Sequence, residues 1–184
     1  MTPERLHQNI WKYALVLIAK KRIFVAILGA YYLTISGVTP QVIGVILLAS
    51  YLAGFILEIP SGYASDKLGH KQALVISALL FICSTLLFLF ANNIAFLILG
   101  GICMSAGIAF HSGTGSAFMH ETLRGLKREH EYAQVMGKLS AIGFGVPIIL
   151  TVLVPFFVSR TRHFLPYQSF GMAFFLALVG HLLH

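Results

Sequence analysis

Charged residues fall into four short clusters, and long apolar runs lie between and after them. No Asp, Glu, Lys or Arg occurs from Ile23 to Leu57, from Gln72 to His120, from Leu139 to Ser159 or from His163 to His184. A helix needs roughly 20 mainly apolar residues to cross a hydrocarbon core about 30 Å thick. The first two runs are long enough for two helices each. Gly37-Val38-Thr39-Pro40-Gln41 breaks the first run and Ala91-Asn92-Asn93 the second. The pattern therefore predicts six spans, near 23–39, 42–60, 73–91, 94–118, 139–158 and 164–184, after a lead-in at 1–22. Barrel strands would alternate polar and apolar residues over about ten positions, and these runs do not. The predicted fold class is all-α integral membrane protein.

Composition strengthens that reading. Hydrophobic residues make up 58% of the chain and charged residues 10%, against about a quarter charged in soluble proteins. The net charge of +7 is consistent with a nucleic-acid partner until its distribution is considered. On the six-span reading, one side holds Arg5, Lys12, Lys20, Lys21, Arg22, Lys67, Lys71, Arg124, Lys127, Arg128 and Lys138, and the other holds Arg160 and Arg162. Eleven cations against two is the bias that places basic loops inside. It predicts cytoplasmic termini and a multi-pass protein of the cell membrane, whose partner is the lipid bilayer and not nucleic acid. Lys20-Lys21-Arg22 interrupts the early apolar region, so no cleaved signal is expected. Segment 6–19 either lies along the membrane surface as an amphipathic helix or extends the first span.

Packing signals are concentrated in the fourth predicted span. Gly101, Ser105, Ala109, Gly113 and Ala117 recur every fourth residue, a small-residue stripe of the kind that lets membrane helices approach closely. A shorter ladder of Gly137, Ala141 and Gly145 opens the fifth span. Pro147 and Pro155, in the same span, are expected to kink it. Residues 121–138 read as a solvated connector.

The ten residues Gly62-Tyr63-Ala64-Ser65-Asp66-Lys67-Leu68-Gly69-His70-Lys71 form a Gly-containing, charged turn between the second and third predicted spans. Gly62 suits a close helix crossing and Gly69 a positive φ. Asp66 is placed to pair with basic neighbours, and Lys67 and Lys71 hold the turn inside. The stretch resembles the pattern G-x-x-x-D-[RK]-x-G-[RK]-[RK] of the major facilitator superfamily. Gly62, Asp66, Lys67, Gly69 and Lys71 fit that conformational-switch motif, and His70 stands where a basic residue is usual. Leu57-Glu58-Ile59-Pro60-Ser61-Gly62 resembles the lead-in of a drug-efflux-like branch. His120-Glu121-Thr122-Leu123 stands where that branch commonly has Tyr-Asp-Ser-Leu. The resemblance implies half of a twelve-helix fold, a 3+3 inverted repeat in which solute binds between two six-helix halves. It implies secondary transport of a small solute, coupled to an ion gradient such as protons, and a partner in a second six-helix half or a second copy. The competing reading is a non-transporting fragment or accessory subunit.

Ionisable groups inside a span are costly and often functional. Glu58 is the acidic candidate for coupling or substrate binding, with ion pairing to Lys67, Lys71 or Arg124 as its structural alternative. Tyr31 and Tyr32 are candidates to line a cavity, His111 to sense protons and Glu121 to join the coupling group. Cys83 and Cys103 lack metal-like spacing, and His181 and His184 lack a third ligand, so no metal or cofactor is expected. His130-Glu131-Tyr132-Ala133-Gln134 lacks the second histidine of a zincin. Gly113-Thr114-Gly115-Ser116-Ala117 has the wrong spacing for an intramembrane serine protease. No catalytic residue is expected.

Overall fold

The computed structural model describes residues 3–20 and 25–161. Seven α-helices follow in order: α1 (Pro3–Lys20), α2 (Val25–Tyr32), α3 (Pro40–Leu68), α4 (His70–Leu89), α5 (Ile94–His111), α6 (Thr114–Gly125) and α7 (Tyr132–Thr161). A short 3-10 turn at Glu129–Glu131 precedes α7. Among the described residues there is no strand, and three segments are long and apolar enough to cross a membrane: Pro40–Leu68, His70–Leu89 and Ile94–Gly125. The predicted span 164–184 lies outside the described residues.

The breaks predicted at 37–41 and 91–93 become helix starts. Thr39 caps α3, its side chain accepting from the Val42 N–H at 3.4 Å, with Pro40 in the first turn, where a missing N–H costs nothing. Asn93 caps α5 by accepting from the Phe96 N–H at 3.2 Å. The first predicted span, 23–39, is shorter than expected, because α2 ends at Tyr32. Gly37, a poor helix former, follows within the turn and takes φ +81°.

Two expectations about helix ends are corrected. Residues 62–68 are not a loop but the last two turns of α3, and Gly69 alone makes the corner with φ +98°. At about 1.5 Å per residue, 29 residues extend about 43 Å, well past a core of about 30 Å. The charges of Asp66 and Lys67 therefore sit on a helix that has already left the hydrocarbon, where nothing forces its backbone to unwind. Gly62 makes no close crossing there: a Cβ added to it would meet nothing within 4 Å among the described residues.

The fourth predicted span is likewise not one helix. It breaks at Ser112–Gly113, where Gly113 adopts φ +72° and α6 begins again at Thr114. The predicted stripe is split by this corner: Gly101, Ser105 and Ala109 lie on α5, Gly113 is the corner, and Ala117 lies on α6. In α7 the helix runs continuously through positions 147 and 155. Among the described residues the close approach does not fall on its ladder of Gly137, Ala141 and Gly145. A Cβ added to Gly137 or Gly145 would meet nothing within 4 Å among the described residues, whereas one at Gly143 would lie 2.9 Å from Leu17 Cβ of α1.

Helix α5 packs on both α3 and α4, while α1 packs on α6 and α7. The α4–α5 contact repeats itself along the antiparallel pair. Ser77 donates to the Gly107 carbonyl and Ser84 to the Gly100 carbonyl, each at 2.7 Å. The rings of Phe81 and Phe88 lie over the same two glycines. One core joins α2 to α5 through Tyr32, Phe88, Leu97 and Met104; a second joins α1, α6 and α7 through Tyr13, Met119, Leu123 and Leu139.

Candidate functional site

The face of α3 that does not meet α5 is apolar and open, with Phe55 and Ile59 77% and 84% exposed. Beside it, α3 and α5 border a cleft of about 300 Å³. Small residues make the room: Gly54 lies against Ser105, and Ala109 follows one turn on. Tyr51 and Phe55 form its aromatic wall, and Glu58 supplies its carboxylate. No cation among the described residues lies within ion-pairing distance of Glu58, so the expected pairing with Lys67, Lys71 or Arg124 is not formed. An exposed carboxylate flanked by aromatic and aliphatic side chains is suited to an amphipathic cation or to a proton.

The other candidate coupling or substrate residues, Tyr31, Tyr32, His111 and Glu121, are not in the lining of this cleft. Tyr31 and Tyr32 are 3% and 2% exposed. The Tyr31 hydroxyl donates to the Phe88 carbonyl, and the Tyr32 ring tilts against Phe88. They pack in the core that joins α2 to α4 and α5. His111 is also buried, stacked parallel on Tyr13 with ring centroids 6.3 Å apart. Glu121 is on α6, beside the corner after α3.

That corner forms a second polar group. Thr114 donates to Ser65 at 2.9 Å, Ser65 Oγ lies 3.1 Å from His70 Nδ1, and His70 Nε2 lies 3.5 Å from Glu121 Oε1. Of the motif residues, Asp66 is exposed and forms no ion pair among the described residues. Lys67 Nζ lies 5.9 Å from the Tyr63 ring centroid, within the reach of a cation–π contact. In the sequence, Ser65 and Thr114 look like ordinary helix-surface hydroxyls, and only the Ser112–Gly113 corner brings them together. His70 is already distinct there, as an exception to the motif.

The connector carries a third set of charges. Arg128 Nε donates to Glu131 Oε1 at 2.9 Å, and Arg124 pairs with Glu129 at 3.4 Å. Hydrogen bonds from Arg128 hold the Glu131 carboxyl below its usual range, and the charges of Arg128, His130 and Lys138 act in the same direction. Among the described residues no three His, Cys, Asp or Glu side chains group as metal ligands.

The chain resembles the quinolone resistance protein NorA of Staphylococcus aureus, with 28% identity over 150 residues to the proteins of strains Mu50, N315 and MW2. That alignment covers 80% of this chain but 37% of each relative, so the chain spans little more than a third of the proteins it matches. The profile of the Major Facilitator Superfamily matches residues 13–183. A match of that extent, with the three apolar helices and the Gly69 corner in place, shows that the chain is a multi-pass membrane protein belonging to the Major Facilitator Superfamily.

Proposed function

We propose that the chain forms the amino-terminal six-helix half of a secondary transporter and supplies one wall of its solute path. In this reading the described helices are completed by a span at 164–184, with both termini cytoplasmic and the 3+3 repeat of the family. The solute is a small amphipathic molecule, moved outward by alternating access and coupled to protons. The observation that carries the reading is the cleft between α3 and α5, where Glu58 follows Tyr51 and Phe55 along α3 and has no cation paired to it among the described residues. A carboxylate in such surroundings gains most from a ligand or proton that brings positive charge. The relatives named for quinolone resistance support efflux as the direction.

The test is flux in liposomes, using this chain assembled with a second six-helix half. A pH gradient is expected to drive export of an amphipathic fluorescent cation. Glu58→Gln should lower that rate at least tenfold while leaving the assembly intact. Flux that Glu58→Gln leaves unchanged across pH 6 to 8 removes Glu58 from the path. No flux from any assembled pair returns the chain to the accessory-subunit reading.

A further inference from the structure

The line Thr114–Ser65–His70–Glu121 joins the end of α3 and the start of α4 to α6: its first two links are hydrogen bonds, and its last is the 3.5 Å approach of His70 to Glu121. Its inner end is dry, with Thr114 4% and Ser65 3% exposed, and its outer end is wet, the Glu121 side chain being 65% exposed. His70 is the crossing point between the two.

Donor directions make this line sensitive to one proton. The Thr114 hydroxyl donates to Ser65 Oγ. The Ser65 hydroxyl proton is then available to Nδ1 of a neutral imidazole, whose remaining N–H, on Nε2, faces Glu121. A charged imidazole is a donor at both nitrogens. Nδ1–H then points at Ser65, whose own proton must turn away, and Nε2–H faces Glu121 with a full positive charge behind it. Charge-assisted hydrogen bonds are roughly twice as strong as neutral ones. An arginine or lysine at this place would keep its charge throughout; a histidine changes charge between pH 5 and 8.

We propose that His70 is a proton-binding site that fastens α4 to α6 when occupied and loosens them when empty. The site goes beyond the transport reading and does not depend on it. Its surroundings set the sign. Glu121, on α6, is the acid lining the cavity of about 310 Å³ beside His70, and Lys71 is the like charge there. Helix α1 contributes Leu6 and Asn9, neither of which titrates. Asp66 and Lys67 on the last turn of α3 are exposed and outside that cavity, and His120 of α6 turns to Tyr132. The proton therefore adds an attraction to Glu121, present at low pH and lost as pH rises.

Hydrogen exchange on the full chain in lipid nanodiscs tests this, after correction for the intrinsic pH dependence of exchange. Amides of residues 70–74 and 114–125 should be several-fold more protected at pH 5.5 than at pH 8. His70→Arg should be protected at both values, and Glu121→Gln should lose the difference. Wild-type protection that does not change with pH overturns the proposal, as does a pH difference that survives in His70→Arg. If the arginine variant does not fold, the wild-type comparison with Glu121→Gln decides in the same way.

Discussion

At the residue scale, glycine sets the distance between helices. An added Cβ at Gly101 would lie 2.0 Å from Ser50 Oγ and 3.2 Å from Ser50 Cβ. The hydroxyl is held in place by donating to the Ile46 carbonyl at 2.7 Å. Gly101→Ala must therefore displace a bonded side chain and open the α3–α5 contact, the kind of overpacking that costs about 1–3 kcal/mol. Ser50→Ala removes the nearer atom and leaves the farther. The double variant should recover part of the loss, giving a coupling that thermal unfolding in detergent measures as a double-mutant cycle. Gly69 is different in kind: a Cβ there meets nothing within 4 Å, but φ is +98°. Gly69→Ala should lower stability by about 1 kcal/mol or more through backbone strain alone, and no second-site truncation should relieve it.

At the element scale, the apolar runs made helices easy to locate and their ends hard. Thr39, Pro40 and Asn93 announce starts because capping is local chemistry. The end of α3 is hard to place from charge, because Asp66 and Lys67 suggest a loop yet ride on helix beyond the hydrocarbon. The corner at Ser112–Gly113 was invisible for the opposite reason: its residues continue a small-residue period, and only Gly113's φ of +72° ends the helix. The candidate cleft was legible in Glu58 and silent in Tyr51 and Ser105, which matter only once α5 packs on α3. In the connector, Arg128 and Glu131 clasp the 3-10 turn that leads into α7. Because the Glu131 carboxyl is held below its ordinary 4.5, the clasp contributes above that value and is lost as pH falls through the lowered one. Arg128→Ala should move the Glu131 titration, followed by carboxyl NMR, back up toward 4.5. It should also remove any acid-dependent fraying of residues 129–132.

At the scale of the whole molecule, the two cores and the open face of α3 require a direction across the bilayer, and the charges supply it. Helix α4 has 20 residues, about 30 Å at about 1.5 Å per residue, enough to cross the core once. Its ends must therefore lie on opposite sides. Lys67 and Lys71 flank its start, while Ala91-Asn92-Asn93 beyond its end carries no charge. Ile94–Gly125 then returns to the first side, where Arg124, Lys127 and Arg128 wait. Five cations on one side of this hairpin and none on the other support the proposed placement of the Gly69 corner and the connector in the cytoplasm. With Cys83 and Cys103 replaced by Ala, single cysteines at Lys71, Asn92 and Lys127 test that placement in intact cells. Asn92→Cys should react with an impermeant maleimide added outside, whereas Lys71→Cys and Lys127→Cys should react only after the membrane is opened. Labelling of Lys71→Cys and Lys127→Cys from outside, with Asn92→Cys protected, would invert the hairpin. The cavity beside His70 would then face the exterior, and its proton would be drawn from the opposite side of the membrane.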